Sequence, residues 1–461
     1  MTIVPQVTKE QQTLKAFHVA IVGGGLCGLL CAVYLTRAGI KVDVFESASK
    51  FGEVGAGIWL GTNALRALDE MGLKDAIIAH ADGAVPALTP FTFVSAKKGH
   101  QLIHSYQLRA EDETLGIHRA ACLKALADLL DPAAIHFDSR CTHISQESGS
   151  RPVIHFKDGT SYETDVVIGA DGIKSAVRQA MLGGTGRLGT KFTKTVAYRA
   201  LFKFNDVKRM GMQTDLSCDP HCFVGMDKHI ITVPIRGSKI LNVVIFYTDH
   251  SLPGSMEIPP NEWVTPASRD EVLAKFSDCG PDVQKLLSLI QTCNKWCIHT
   301  VDPPLDSFVK GRVALAGDSA HGMCPHLGSG FGQGIEDALI LCRLLTHPAI
   351  NLFNVQEALL VYDRVCRPRA NMVLTRSAWA GEVYESLPHK ADDNAKFEAL
   401  RSSLAVLWEP IWRHDLRKHL AAAMNTSANP GGSLWAHNDH VLFAEYPTIQ
   451  KPFKNCRMRM L

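Results

Sequence analysis

The 461-residue chain has almost no net charge: 48 Lys+Arg stand against 46 Asp+Glu, a formal +2. No basic field draws it to nucleic acid or to an anionic lipid surface. It lacks internal repeats and low-complexity tracts. Its first 17 residues are polar and mixed in charge, unlike a signal n-region. One segment, residues 19–35, is apolar enough to imitate a membrane span. Gly23, Gly24, Gly25 and Gly28 interrupt it and favour a tight turn over an anchor. A soluble, cytoplasmic protein without a stable membrane span is expected. The cysteines form no scaffold: thirteen, an odd count, spread from Cys27 to Cys456. That predicts free thiols in a reducing compartment. Cys218-x-x-x-Cys222 encloses His221, but no second Cys/His pair at zinc spacing joins it, so no metal site is assigned.

Hydrophobic residues make up 46% and charged residues 20%, too apolar for disorder and too interrupted for a membrane bundle. The length allows two or three domains. Residues 18–25, HVAIVGGG, read as a buried parallel strand ending in glycines. A helix over 26–38 and a second strand over 41–46 complete a βαβ unit. Helices are predicted over 63–71 and 118–130, a hairpin around Asp158-Gly159, and a buried strand over 165–170. Alternating stretches between 190 and 248 predict a second, largely antiparallel sheet. Residues 268–290 read as mostly helical, 312–318 as a buried strand, and the chain after Gly334 as helical nearly to its end. This order implies a discontinuous nucleotide domain (1–75, 105–185 and 300–345), an inserted sheet domain (76–104 and 186–299) and a helical C-terminal region (346–461).

Gly23-x-Gly25-x-x-Gly28 follows a strand and opens a helix. The first glycine makes the turn, the second admits a pyrophosphate to the backbone, and the third lets helix and strand pack closely. Phosphates suit the unpaired N–H groups and the positive helix end. Glu46 ends the next strand, where a carboxylate binds both hydroxyls of an adenosine ribose and disfavours a 2′-phosphate. The motif therefore suits FAD or NAD; the alternative is a glycine-rich packing seam. Two more strand-to-loop junctions follow, GADGIKSAVR (169–178) and GDSAHGMCPHLGSGFGQGIEDA (317–338). Asp318 could hold a ribityl chain. A helix N-terminus with free N–H groups at Gly328, Gly330 and Phe331 would stabilise the negative charge of a reduced flavin.

These three motifs, in this order, resemble those of the class A single-component flavoprotein aromatic monooxygenases, the para-hydroxybenzoate hydroxylase fold. Within that class the chain is similar to salicylate hydroxylases and to fungal polyketide phenol hydroxylases, some of which dearomatise their substrates. The cues are residues 53–73, Gly116-Ile117-His118-Arg119, residues 196–202 and residues 317–338; the likeness spans about 18–420. It implies an α/β (α+β) fold, with a Rossmann-like domain for non-covalent FAD, an inserted mixed or antiparallel substrate sheet and a helical end. It also implies NAD(P)H and O₂ as co-substrates, a flavin C4a-hydroperoxide as the oxygen donor, and a phenolic substrate hydroxylated ortho to its oxygen.

By resemblance, Gly23, Gly25, Gly28 and Glu46 hold the adenosine diphosphate of FAD, and Arg119 faces the cofactor. Asp171 serves the pyrophosphate and NAD(P)H use, Asp318 the ribityl chain, and Gly57 runs near the flavin. Arg199 binds the substrate phenolate; as a plain sheet residue it would instead face solvent. His326 would lie near flavin and substrate, whereas His321 reads as structural. Relatives often carry tyrosine where this chain has Val233, so a phenol contact is missing there; Tyr106 or Tyr198 would have to compensate. A single GxGxxG and no CxxC argue against a disulfide reductase and for transient NAD(P)H binding in a groove. Three product outcomes stay open: simple, salicylate-type decarboxylating and dearomatising hydroxylation. The rival readings are an NAD-dependent dehydrogenase and a non-catalytic flavin-binding protein.

Overall fold

The computed structural model describes residues 17–52, 57–79, 91–147, 149–184, 189–235, 237–388 and 393–424. Residues 53–56 of the 53–73 cue, Cys456 and the 425–461 part of the C-terminal region lie outside that set.

A six-stranded sheet forms one layer. Its order is Val309–Lys310, Val313–Leu315, Val166–Gly169, His18–Val22, Lys41–Phe45 and Ile135–His136. All neighbours pair in parallel except the first two. Strands 19–22 and 166–169 are buried throughout, as a parallel sheet covered on both faces requires. Helices Leu26–Arg37 and Gly330–Leu345 pack against each other beside it. The second helix starts before the predicted end of the glycine loop, so Gly332 and Gly334 are helical. A Cβ on Gly332 would lie 3.3 Å from Ala64, and one on Gly334 would lie 3.5 Å from Gly317. These glycines let the helix sit close to its neighbours despite their low helix propensity. Glu336 on that helix is buried and accepts hydrogen bonds from Asn63 (2.6 Å) and Arg369 (3.1 Å).

The second sheet has eight strands. Its order is Val264–Ser268, Thr292–Val301, Thr190–Lys203, Ile240–Thr248, Lys228–Ile235, His221–Val224, Phe91–Ser95 and Leu102–Tyr106. It is antiparallel except where His221–Val224 meets Phe91–Ser95. One face packs on helices Arg269–Lys275 and Pro281–Ser288 through Tyr198, Ile230, Leu241, Val243 and Ile245. The other face is left for the site. The 268–290 stretch is mostly helical as expected, as two helices, because Gly280-Pro281 restarts the chain. Among the described residues, no helix is long and apolar enough to cross a membrane.

Candidate functional site

The three motif glycines occupy three different environments. Gly23 has φ +107°, and a Cβ there would lie 2.3 Å from the Ala170 carbonyl oxygen. A Cβ on Gly28 would lie 2.0 Å from the Gly23 carbonyl oxygen, where helix crosses strand. Gly25 has ordinary extended backbone, φ −73° and ψ 178°. A Cβ on it would meet nothing within 4 Å, because it opens onto a groove.

That groove, about 570 Å³, lies where the parallel strands end, the usual ligand position in such sheets. Gly23, Gly25 and Glu46 line one end of it. Both Glu46 oxygens are already oriented: Oε2 accepts from the Gly24 amide and Oε1 from the Ala48 amide, each at 2.8 Å. Oε1 also accepts from the Ser47 hydroxyl at 3.3 Å, while Oε2 keeps a further lone pair for a ribose hydroxyl. Asp171 follows, with Oδ2 accepting from the amides of Ala176 (2.7 Å) and Val177 (3.2 Å). Its Oδ1 is buried without a partner, and burial pushes its carboxyl above the usual range. Asp318, exposed to the groove, faces the same space as Gly330 and Phe331. Strand Gly57–Leu60 pairs with Leu115–His118, so Gly57 lies opposite His118 and beside Arg119; Gly57 and Arg119 both line the groove.

A cradle open at Gly25, a pre-oriented carboxylate at Glu46, an unpartnered buried acceptor at Asp171 and an exposed carboxylate at Asp318 fit a long dinucleotide. Gly330 and Phe331 begin their helix, so their N–H groups have no intrahelical acceptor. Gly328 departs from expectation: its amide donates to Pro325 (2.9 Å), which closes a short 3₁₀ turn. It is therefore not a free donor, and neither it nor Gly28 lines the groove.

Arg178 escaped the residue-by-residue reading, although it ends the second motif. It is fully buried. Its guanidinium donates to the carbonyls of Ser319 (2.7 Å), Asp318 (3.3 Å) and Ile173. Burial pushes its pKa down to about 10, against the pull of Asp171 and Asp318. One side chain thus ties the Asp171 loop to the Asp318 loop. Removing it strips donors from buried carbonyls, at about 1–3 kcal/mol each. Arg178→Met is expected to lower the melting temperature and weaken FAD binding about tenfold or more, read by flavin fluorescence titration. Wild-type affinity in that variant would refute the tie.

Strand alternation settles which way Arg199 points. Tyr198 turns to the helical side, fully buried, with its hydroxyl donating to Glu271 at 2.7 Å. Arg199 therefore faces the groove, 5.8 Å from the Trp296 ring. Its side chain is open to water in the groove while groove walls crowd it from behind. That desolvation, with Arg119 nearby, lowers its pKa. Arg199 and Arg119 stand with Arg140 and Lys174 among the groove's cations, a set that favours an anionic ligand.

Tyr198 cannot replace a phenol at Val233, because it lies on the opposite face. Tyr106 is also engaged elsewhere, donating to Glu409 at 3.2 Å. Val233 is half-buried on the same face as Arg199, one strand beyond its neighbour, and is not in the groove lining. His326 lies outside the lining as well. It is buried, its Nδ1 is 3.3 Å from His229 Nε2, and its ring is 5.0 Å from Phe246. Burial pushes both histidines down to about 3, so both are neutral at physiological pH. His321 is fully buried and bonded to Asp337, away from the groove lining.

A cofactor groove on a parallel sheet, closed by a second sheet that presents an arginine, defines a flavoprotein oxidoreductase of small molecules. The chain belongs to the FAD binding domain family, whose match runs over residues 16–377. It is 36% identical over 413 residues to a salicylate hydroxylase of Pseudomonas putida, covering 88% of this chain and 94% of that protein. It is 32% identical to 6-methylsalicylate 1-monooxygenase of Aspergillus terreus, covering 89% and 92% respectively. A solved substrate complex of salicylate hydroxylase superposes with a TM-score of 0.79 at 30% identity, covering 90% of this chain and all of that one. The protein is an FAD-dependent aromatic monooxygenase of the salicylate hydroxylase-like kind.

Proposed function

We propose that the enzyme hydroxylates a phenol at the ring carbon ortho to its oxygen, using NAD(P)H and O₂. The observation that carries this reading is the orientation of Arg199 into the groove. A phenol is a strong carbon nucleophile only as its phenolate. The Arg199 guanidinium, crowded and close to Arg119, would bind that anion and favour loss of its proton. FAD, when bound, supplies the reducing equivalents and the activation of O₂. Gly23, Gly25, Glu46, Gly57, Arg119, Asp171, Asp318, Gly330 and Phe331 are the proposed cofactor contacts, with Gly28 holding helix and strand close behind them. The six-stranded sheet and its loops make up the proposed cofactor domain, and the eight-stranded sheet the substrate domain.

The overall reaction balances as phenol, O₂, NAD(P)H and a proton giving hydroxylated ring, NAD(P)⁺ and water. One oxygen atom enters the ring and the other leaves as water. A hydrogen at the attacked carbon is lost on rearomatisation. A carboxylate there leaves as CO₂, the outcome that kinship with salicylate hydroxylases favours. A methyl group there would block rearomatisation and leave a dearomatised product. The described cysteines are all free, which supports a reducing, intracellular location.

Mass spectrometry of products from salicylate, a resorcinol-type aldehyde and an alkylated polyketide phenol tests the reading. The expected result is one added oxygen, with CO₂ lost only from the carboxylated ring. A yellow protein that oxidises NAD(P)H but hydroxylates none of them would overturn it.

A further inference from the structure

Trp296 is the large side chain that the eight-stranded sheet places outside its apolar core. In strand Thr292–Val301, Lys295 turns to the helical side, where its ammonium stands 3.4 Å from Glu271. Trp296 therefore turns the other way, and it lines the groove together with Arg199. Among the described residues it packs into none of the hydrophobic clusters that hold the sheets and helices together. A half-buried indole is a large apolar surface to leave at the wall of a cavity. A tryptophan kept there without a core to fill points to a task in the cavity or on a neighbour.

The register identifies the neighbour. Trp296 lies directly opposite Ala197 on strand Thr190–Lys203, and Arg199 lies opposite Asn294. Arg199 and Trp296 are thus diagonal partners on one face, a separation that long and aromatic side chains span. Alanine at 197 sets no bulk across from the indole, which leaves it room to lean toward Arg199. The guanidinium carbon stands 5.8 Å from the ring centroid, inside the reach of about 6 Å for a cation–π contact. Arg119 repels the same cation. An arginine open to water has many rotamers, and the freedom it loses on binding weakens the contact it makes. An attracting ring and a repelling charge narrow that freedom before any ligand arrives.

Resting on the phenol-hydroxylase reading, we propose that Trp296 is a positioning residue whose indole face holds the Arg199 guanidinium in place over the groove for an anionic aromatic ligand. The indole acts through the arginine. It favours the ionised ligand over the neutral one, because only the ionised form gains fully from a placed guanidinium. Loss of the ring leaves the charge of Arg199 in the groove and removes its fixed place.

A double-mutant cycle on the FAD-loaded enzyme tests this, with binding read from the flavin spectrum so that no turnover is needed. The probes are 4-nitrophenol, titrated below and above its own pKa, and benzoate, an aromatic anion at neutral pH. In Trp296→Leu, 4-nitrophenolate and benzoate should each bind about fivefold more weakly, while neutral 4-nitrophenol binds as in the wild type. Trp296→Phe keeps a ring face and the fold, and should show only about a twofold loss. In an Arg199→Ala background neither substitution should change the binding of either anion. A loss of the same size in that background, an equal loss for neutral and ionised nitrophenol, or no loss in Trp296→Leu overturns the assignment. If benzoate shows the coupling but the wild type does not prefer nitrophenolate to nitrophenol, the positioning role stands and the phenol-hydroxylase reading fails.

Discussion

Arg199→Ala is expected to give a yellow, folded protein that has lost hydroxylation by roughly 10²–10³-fold, the range for removing one preorganised oxyanion donor. The fold should tolerate the change, because Arg199 is exposed in the groove and contributes no core packing. FAD should remain, because Arg119 and the glycine cradle are untouched. Loss of the guanidinium also relieves its repulsion with Arg119. The measurement is kcat/KM for the accepted phenol, beside the flavin-to-protein absorbance ratio. Arg199→Lys should recover only part of the rate, because a point charge lacks the planar fork that grips an oxyanion. Full turnover with an unchanged product in Arg199→Ala would remove this residue from the site.

The second large effect separates the glycines. Gly25→Val should yield a protein that melts like the wild-type apoprotein but binds FAD at least about 10³-fold more weakly. Its backbone is one that valine adopts freely, and its Cβ enters empty groove. The two added methyl groups stand where the cofactor backbone contact has to form. Gly28→Val is the opposite case, since its Cβ would overlap the Gly23 carbonyl at 2.0 Å. That overlap forces strand and helix apart, costing about 1–3 kcal/mol or more, and the variant should accumulate as insoluble protein. A yellow, soluble Gly25→Val would show that the pyrophosphate lies elsewhere.

The contrast shows what the sequence carries and where it stops. The βαβ motif was legible because period, glycine spacing and the acid at Glu46 all agree locally. The two-sheet order followed from texture, and the facing of Arg199 only had to be decided between two choices, which Tyr198 now settles. Contacts of long sequence separation were not legible. Phe91–Ser95 joins His221–Val224 in parallel across more than a hundred residues, with no short-range signal. Arg178 ties two loops about 140 residues apart, and a lone helical arginine looks like any other. Glycines 332 and 334 read as loop because intrinsic propensity says so, yet tertiary packing against Ala64 and Gly317 made them helix.

The division of labour between the two sheets has an evolutionary consequence. The proposed cofactor residues sit on loops at the ends of the six-stranded sheet, whereas Arg199 and Trp296 reach the groove from the eight-stranded one. A point change in the second sheet can alter what a ring meets and leave the dinucleotide cradle as it was. Substrate preference can drift in this architecture without loss of the cofactor.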